Sequence, residues 1–397
     1  MFVRHLALRS FRSWYDVTLD LTPGCTVFLG PNGHGKTNLL EAIHYLSALG
    51  SHRVATDQPL IQEGCDAARI TGIAVNAGRE LRVDVELHAG RANKAKVNQA
   101  PVRRPREILG IVQSVLFAPE DLSLVKGDPG ERRRFIDELL VTRRPQLAAV
   151  RADYDRILRQ RSALLKSLGA SRGRKLDSSA LTTLEVWDGH LAETGSELLE
   201  ARLALIHELQ PFVTDSYAGI APGSRPAIIE YRCSLGDEAL GQVAGDRAGL
   251  ADKIVAVLRA NRDRELDRGV CLVGPHRDDL ELRLGEQPAK GYASHGESWS
   301  FALALRLGSF GLLRADGTDP VLLLDDVFAE LDTKRREALA RHAAGAEQVL
   351  ITAAVEDDVP AVLAASVRGV RAEMSDPGDN VVRRVSRLSD WSRSERV

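Results

Sequence analysis

The segment GPNGHGKT, Gly30 to Thr37, constrains this chain more than any other. It fits the pattern G-x-x-x-x-G-K-[ST]. The apolar run CTVFL (25–29) before it reads as a buried strand, and the helix-forming run from about Lys36 to Leu49 follows it. A glycine-rich loop between a strand and a helix is the context this pattern requires. Gly30, Gly33 and Gly35 let the backbone curl so that successive N–H groups face inward, with Pro31, Asn32 and His34 at the variable positions. The helix N-terminus adds partial positive charge. Such a loop suits a nucleoside triphosphate such as ATP. Lys36 is expected to reach the β- and γ-phosphates and to act in catalysis, and Thr37 to ligate Mg2+.

The run VLLLDD, Val321 to Asp326, supplies the second half of that chemistry. Apolar residues lead to carboxylates at a strand's C-terminal end, the edge of an open parallel sheet where ligands bind. Asp325 is expected to hold Mg2+ and Asp326 to orient or deprotonate the attacking water.

The rest of the chain frames these motifs. Its 397 residues suggest roughly two or three domains. A formal net charge of −2 excludes a uniformly basic nucleic-acid coat, so any DNA contact must come from a local patch. Cys25, Cys65, Cys233 and Cys271 form no Cys-x-x-Cys pair and read as reduced core thiols of a cytoplasmic protein. The N-terminus lacks the apolar core of a signal peptide, and no run of about 18 apolar residues is expected to span a membrane.

Strand-like spacing dominates the N-terminal part, with alternation at Val3, His5 and Ala7, then at 15–21, 68–77 and 80–88. From Pro119 the texture turns helical: 130–145, 146–169, and about 179–209, broken by the Ser/Gly/Arg/Lys-rich 170–179. A strand-like piece (226–235) and a helix (247–261) close this part. Strand and helix then alternate again, with GVCLVG (269–274) and DLELRLG (279–285) both strand-like. The expected organisation is an α/β head in two parts, 1–118 and 266–385. A mainly α-helical lobe, 119–265, is inserted between them, and a polar tail covers 386–397.

YASHGESWSFALALRLG (292–308) places Ser294, Gly296 and Glu297 at the mouth of a helix. Taken alone this is an ordinary helix cap. The order of motifs gives it a second reading. P-loop, long insertion, Ser-x-Gly-Glu before a helix, then LLLDD and AELD resembles the ABC-type ATPase heads of the Rad50, SMC and RecF group. The similarity is greatest to the RecF family, in 11–53, 117–138, 272–282, 320–332 and 348–353. The resemblance implies an ABC-type P-loop head with a mixed sheet. Ser294, Gly296 and Glu297 would meet the γ-phosphate held by a second subunit, and Asp332 would lie at the dimer interface. It implies an ATP-dependent DNA clamp or loader of recombinational repair, acting in replication and the SOS response. The clamp would form a homodimer with ATP, bind single-stranded, gapped or junction DNA, and work with RecR and RecO. A weak DNA-stimulated ATPase activity would reopen it. The alternatives are a clamp with negligible hydrolysis and a metabolic P-loop kinase.

Two details depart from the group. Glu297 stands where glutamine is commoner. AVEDD follows ITA, with no histidine at the switch position. Gln113 is the candidate for the Q-loop. Helical runs of about 25 and 30 residues suit a compact lobe rather than a long coiled-coil arm. Basic residues gather in the insertion, including Arg132, Arg133, Arg134, Arg143 and Arg144, and are expected to contact DNA phosphates. His276, Arg277 and Asp278 fit either a nucleotide or subunit contact or a salt-bridged loop.

Overall fold

The computed structural model describes residues 1–170, 178–236, 246–363, 365–375 and 383–389. The chain divides into two compact units. The first comprises Met1–Lys126, Pro211–Ala227 and Gly291–Val397; the second comprises Gly127–Gln210 and Ile228–Lys290.

The strands in chain order are β1 (Phe2–Phe11), β2 (Trp14–Asp20), β3 (Gly24–Leu29), β4 (Ala67–Asn76), β5 (Arg79–His88), β6 (Lys94–Val97), β7 (Ala100–Pro101), β8 (Ser114–Phe117), β9 (Ala227–Arg232), β10 (Asp279–Leu284), β11 (Gln287–Pro288), β12 (Val321–Asp325), β13 (Gln348–Ala353), β14 (Ala365–Ser375) and β15 (Arg383–Ser389). The longer helices are α1 (Lys36–Ala48), α2 (Pro129–Arg143), α3 (Leu147–Ala170), α4 (Ser178–Ile220), α5 (Arg247–Arg268), α6 (His295–Ala315) and α7 (Thr333–Ala343).

The first unit holds two six-stranded sheets. One, ordered β2-β1-β4-β5-β6-β7, is antiparallel. A bulge between Val3 and His5 shifts the phase of β1, so Leu6 and Leu8 are buried rather than the expected His5 and Ala7. The other, β15-β14-β3-β13-β12-β8, is mixed, with five parallel strands and β15 antiparallel at one edge. β12 and β13 are buried along their whole length, as continuous apolar runs in a covered parallel sheet should be. Helix α1 buries Leu39, Leu40, Ile43 and Leu46 in a core shared with Leu6 and Val83 of one sheet and Leu323 and Leu350 of the other. One helix therefore ties the phosphate-loop strand to both layers.

The second unit packs α2, α3, most of α4, and α5 with the small sheet β11-β10-β9. Its core includes Ile157, Leu165, Leu191, Leu198, Leu250 and Ile254. The units divide at different places from the expected 118/119 and 265/266. Residues 119–126 and 211–227 go with the first unit and 266–290 with the second. The strand-like 279–284 pairs with β9 and β11, not with the large mixed sheet. GVCLVG is not a strand; there the Cys271 carbonyl accepts from Arg277 Nε at 2.8 Å and Nη2 at 2.6 Å. The expected tail starts inside β15, which runs to Ser389, and 390–397 lies outside the described residues. Most of the expected loop 170–179 also lies outside them.

Candidate nucleotide site

β3 ends at Leu29 between β13 and β14, and β12 ends two strands away at Asp325. All these strands run parallel, so Gly30–Thr37 and Asp325–Asp326 emerge at the same edge. Gly30 must be glycine for space: a Cβ there would lie 2.1 Å from the Val370 carbonyl oxygen. Gly33 and Gly35 adopt φ of +78° and +95°, the left-handed region that glycine enters without strain.

Lys36 is only 3% exposed. Its Nζ donates to Gly30 O at 2.7 Å, Pro31 O at 3.3 Å and Asn32 Oδ1 at 3.2 Å. Burial lowers its pKa from the ordinary value, and Asp326 and Asp325 oppose that shift. Thr37 Oγ1 donates to Asp325 Oδ1 at 2.8 Å, and Thr352 Oγ1 donates to the same oxygen at 2.6 Å. Asp325 is buried, and desolvation pushes its carboxyl up to about 6 against those two hydrogen bonds. A carboxylate that is costly to ionise beside a threonine hydroxyl suits a divalent cation, whose charge would repay the desolvation. The Thr37–Asp325 pair thus fits Mg2+, and the inward-turned lysine fits the phosphates that such an ion accompanies.

Asp326 takes φ +48°, unusual for a residue with a side chain, and its N–H donates to Thr352 Oγ1 at 2.9 Å. The turn separates the two carboxylates: Asp325 goes into the buried layer, while Asp326 stays partly exposed. Such a strained position at a strand end is where functional side chains are often aimed.

Ser294 is the N-cap of α6. Its Oγ accepts from Glu297 N at 3.2 Å, and its own N–H donates to Glu297 Oε2 at 2.9 Å. Glutamate or glutamine can complete this capping box, which gives Glu297 a local role. The hydrogen bond from the Ser294 N–H, with the Ser294 side chain and Arg225 adding to it, holds its carboxyl below the ordinary range. Gly296 packs under Arg335; a Cβ there would lie 3.1 Å from both guanidinium Nη atoms. Arg335 Nε donates to Ser300 Oγ at 2.8 Å, and its guanidinium pairs with Asp332, the N-cap of α7. The Ser-His-Gly-Glu and AELD segments therefore form one connected surface through Arg335.

Several residues at the site gave no sequence signal. Trp14 Nε1 donates to Gly35 O at 3.0 Å, Ser386 Oγ donates to His34 O at 2.6 Å, and Asn38 Nδ2 donates to Ser13 Oγ at 2.9 Å. Thr352 was equally silent. Gln113 precedes β8, at the opposite end of the strand from the nucleotide edge. Past the other end of β8 stands Glu120, whose charge Asp325 senses. Glu356–Asp358 forms a 3-10 turn at the switch position after β13.

The basic cluster is largely engaged within its own unit. Arg132 is buried, donating Nε and Nη2 to Asp279 at 2.8 and 2.9 Å. Arg133 donates to Asp278 O at 2.7 Å, and Arg143 to Glu208 at 2.6 Å. All three have partners within the protein, and of them only Arg132 is buried. Arg134 lies 3.6 Å from Glu138, and Arg144 is exposed. Residues 276–278 are held by hydrogen bonds within their own unit, and no described ion pair involves them. Tyr154 Oη and His276 Nδ1 are 2.7 Å apart, Tyr231 Oη donates to Asp278 at 2.9 Å, and Arg202 binds Asp137 with two bonds at 2.8 and 2.9 Å.

The fold and the loop define a P-loop nucleotide-binding head of the ABC type. Residues 2–373 match the RecF/RecN/SMC N terminal domain. The chain is 62% identical, over 97% of both lengths, to the DNA replication and repair protein RecF of Rhodococcus erythropolis. Two solved structures of the recombination mediator protein RecF also match it. One, with ATP, has TM-score 0.83 and 25% identity over 97% of each chain. The other, described as RecF-ATPrS, has TM-score 0.81 and 26% identity over 90% of this chain and 94% of that one. The chain belongs to the RecF/RecN/SMC N-terminal domain family and, within it, to the RecF proteins.

Proposed function

We propose that this chain is a RecF-type ATP-dependent DNA clamp or loader of replication and recombinational repair, acting in the cytoplasm as a homodimer closed by ATP. The observation that carries this is the Thr37–Asp325 pair beside the buried Lys36, on a chain matched end to end by a DNA replication and repair protein. The family assignment overturns the small-molecule kinase alternative.

Bound Mg2+ would neutralise phosphate charge and hold the terminal phosphate in line. Thr37 and Asp325 would hold that ion, and Lys36 would turn from the loop carbonyls to the phosphate oxygens. Asp326, beyond the buried layer, would orient a water and accept its proton. Ser294 and Gly296 of a second copy would cover the γ-phosphate, with Glu297 shaping the cap that presents them and Asp332 beside them. Slow hydrolysis, stimulated by DNA, would reopen the dimer. DNA would meet exposed cations such as Arg144, Arg156, Arg159 and Lys166, a salt-dependent contact without base readout. RecR and RecO are the proposed partners, as the pathway named for the solved relatives suggests.

Ser294→Asp tests the trans role cleanly, because aspartate keeps the N-cap and sets a negative charge toward phosphate. Sedimentation with ATP should show wild type dimerising and the variant monomeric, with the variant's ATP affinity intact. Normal dimerisation of the variant would end the trans reading.

A further inference from the structure

Arg384 lies on β15, the antiparallel edge strand of the mixed sheet, far along the chain from the phosphate loop. A Cβ placed on Gly33 would nevertheless lie 3.5 and 3.6 Å from its two Nη atoms. The contact follows from how the strand lies across the loop. Ser386, two residues on and therefore on the same face, donates to His34 O at 2.6 Å, and a Cβ on Gly35 would lie 2.4 Å from its Oγ. Val385 between them is buried. Arg384 and Ser386 thus follow successive glycines of the loop.

Their environments differ. Ser386 is buried and fully engaged as a brace. Arg384 is exposed, and no described residue forms a hydrogen bond or ion pair with it. Its cross-strand neighbour is Met374, which supplies no charge. A brace for Gly33 would need only an apolar stem. A guanidinium with five donors, always charged, at the rim of a loop built for phosphate has an anion as its natural partner.

We propose that Arg384 is a nucleotide-binding residue, which reaches from β15 over Gly33 to the outer oxygens of the bound polyphosphate. This rests on the assignment of Gly30–Thr37 as the ATP site and extends it. The loop would present cations on two sides: Lys36 from within and Arg384 from the solvent rim. The triphosphate, with its greater charge, gains more from the second cation than the diphosphate does. The C-terminal hairpin thereby becomes part of the nucleotide site rather than a sheet edge alone.

The test is equilibrium binding of fluorescent ATP and ADP to full-length wild type, Arg384→Ala, Arg384→Lys and Lys36→Ala, with thermal melting of each. Arg384→Ala should raise the ATP Kd by about tenfold or more, the worth of one charge-assisted contact, and the ADP Kd by distinctly less. Its melting temperature should stay at the wild-type value, and Arg384→Lys should restore part of the ATP affinity. Unchanged ATP affinity in Arg384→Ala overturns the proposal, including the case where only dimerisation is lost, which would assign the residue to the partner subunit. Equal weakening of ATP and ADP with a lowered melting temperature also overturns it, leaving Arg384 a brace. If wild type and Lys36→Ala bind ATP equally poorly, the ATP-site assignment itself fails, a result distinct from all of these.

Discussion

At the scale of single residues, the site depends on a few side chains placed where water is scarce. Asp325 shares one oxygen with two threonine hydroxyls, and one of these, Thr352, also takes the Asp326 N–H. Its carboxyl is thus oriented before any cation arrives. The aspartates were legible in the sequence because an apolar run ending in two carboxylates is rarely accidental. Thr352 was not, since a threonine near the end of a buried strand has no distinguishing pattern. Glu297 was legible as a departure from glutamine, and the capping box gives a physical reason why either residue serves. Glu297→Gln should therefore leave the melting temperature within about 2 °C of wild type, whereas Glu297→Ala should cost about 1 kcal/mol. Thermal unfolding of the two variants measures the difference. A large loss in the glutamine variant would mean that the carboxylate charge itself is required.

At the scale of elements, periodicity identified the helices and most strands, and then misplaced some of them. Residues 279–284 read correctly as a strand, yet β10 joins β9 and β11 of the second unit, because alternation reports a half-buried strand without saying which sheet buries it. Helix α2 gives the converse lesson. Its arginines suggested a DNA-facing surface, but Arg132 faces Asp279, far along the chain, and composition cannot reveal such a partner. Arg132→Ala should consequently destabilise the protein by about 3 kcal/mol, the cost of stranding a partly buried carboxylate, and leave the salt dependence of DNA binding unchanged. Denaturant titration and DNA binding at several salt concentrations test both halves. A shallower salt slope with unaltered stability would restore Arg132 to the DNA surface.

At the scale of the whole molecule, each unit carries its own core, and the second also carries a buried polar network. His276 belongs to that network. Burial lowers its pKa from 6.5 to about 4, with Arg277, Arg133 and Arg161 adding to the shift and the Cys271 carbonyl opposing it. Between those values the unfolded chain binds a proton that the folded chain refuses. The stability from His276 is therefore fully present above about pH 6.5 and is lost as pH falls toward 4, by about 3 kcal/mol at most. His276→Gln should flatten the fall in stability between pH 6.5 and 4.5, measured by denaturant midpoints; an unchanged slope would assign the acid sensitivity elsewhere.

The same scale holds the division of the nucleotide site. Its two proposed halves were both readable as motifs, but on the proposed reading a second molecule closes their separation along the chain, and no single sequence displays that. The direct measurement is sedimentation of Lys36→Ala and Ser294→Asp, separately and mixed in equal amounts, with a slowly hydrolysed ATP analogue. In a dimer whose sites combine the loop of one copy with the cap of the other, each variant alone has no intact site. The mixture has one, formed by the loop of the Ser294→Asp chain and the cap of the Lys36→Ala chain. Dimers should therefore be absent with either variant alone and appear in the mixture. If the mixture stays monomeric, or if Ser294→Asp dimerises by itself as wild type does, the two halves do not meet across subunits.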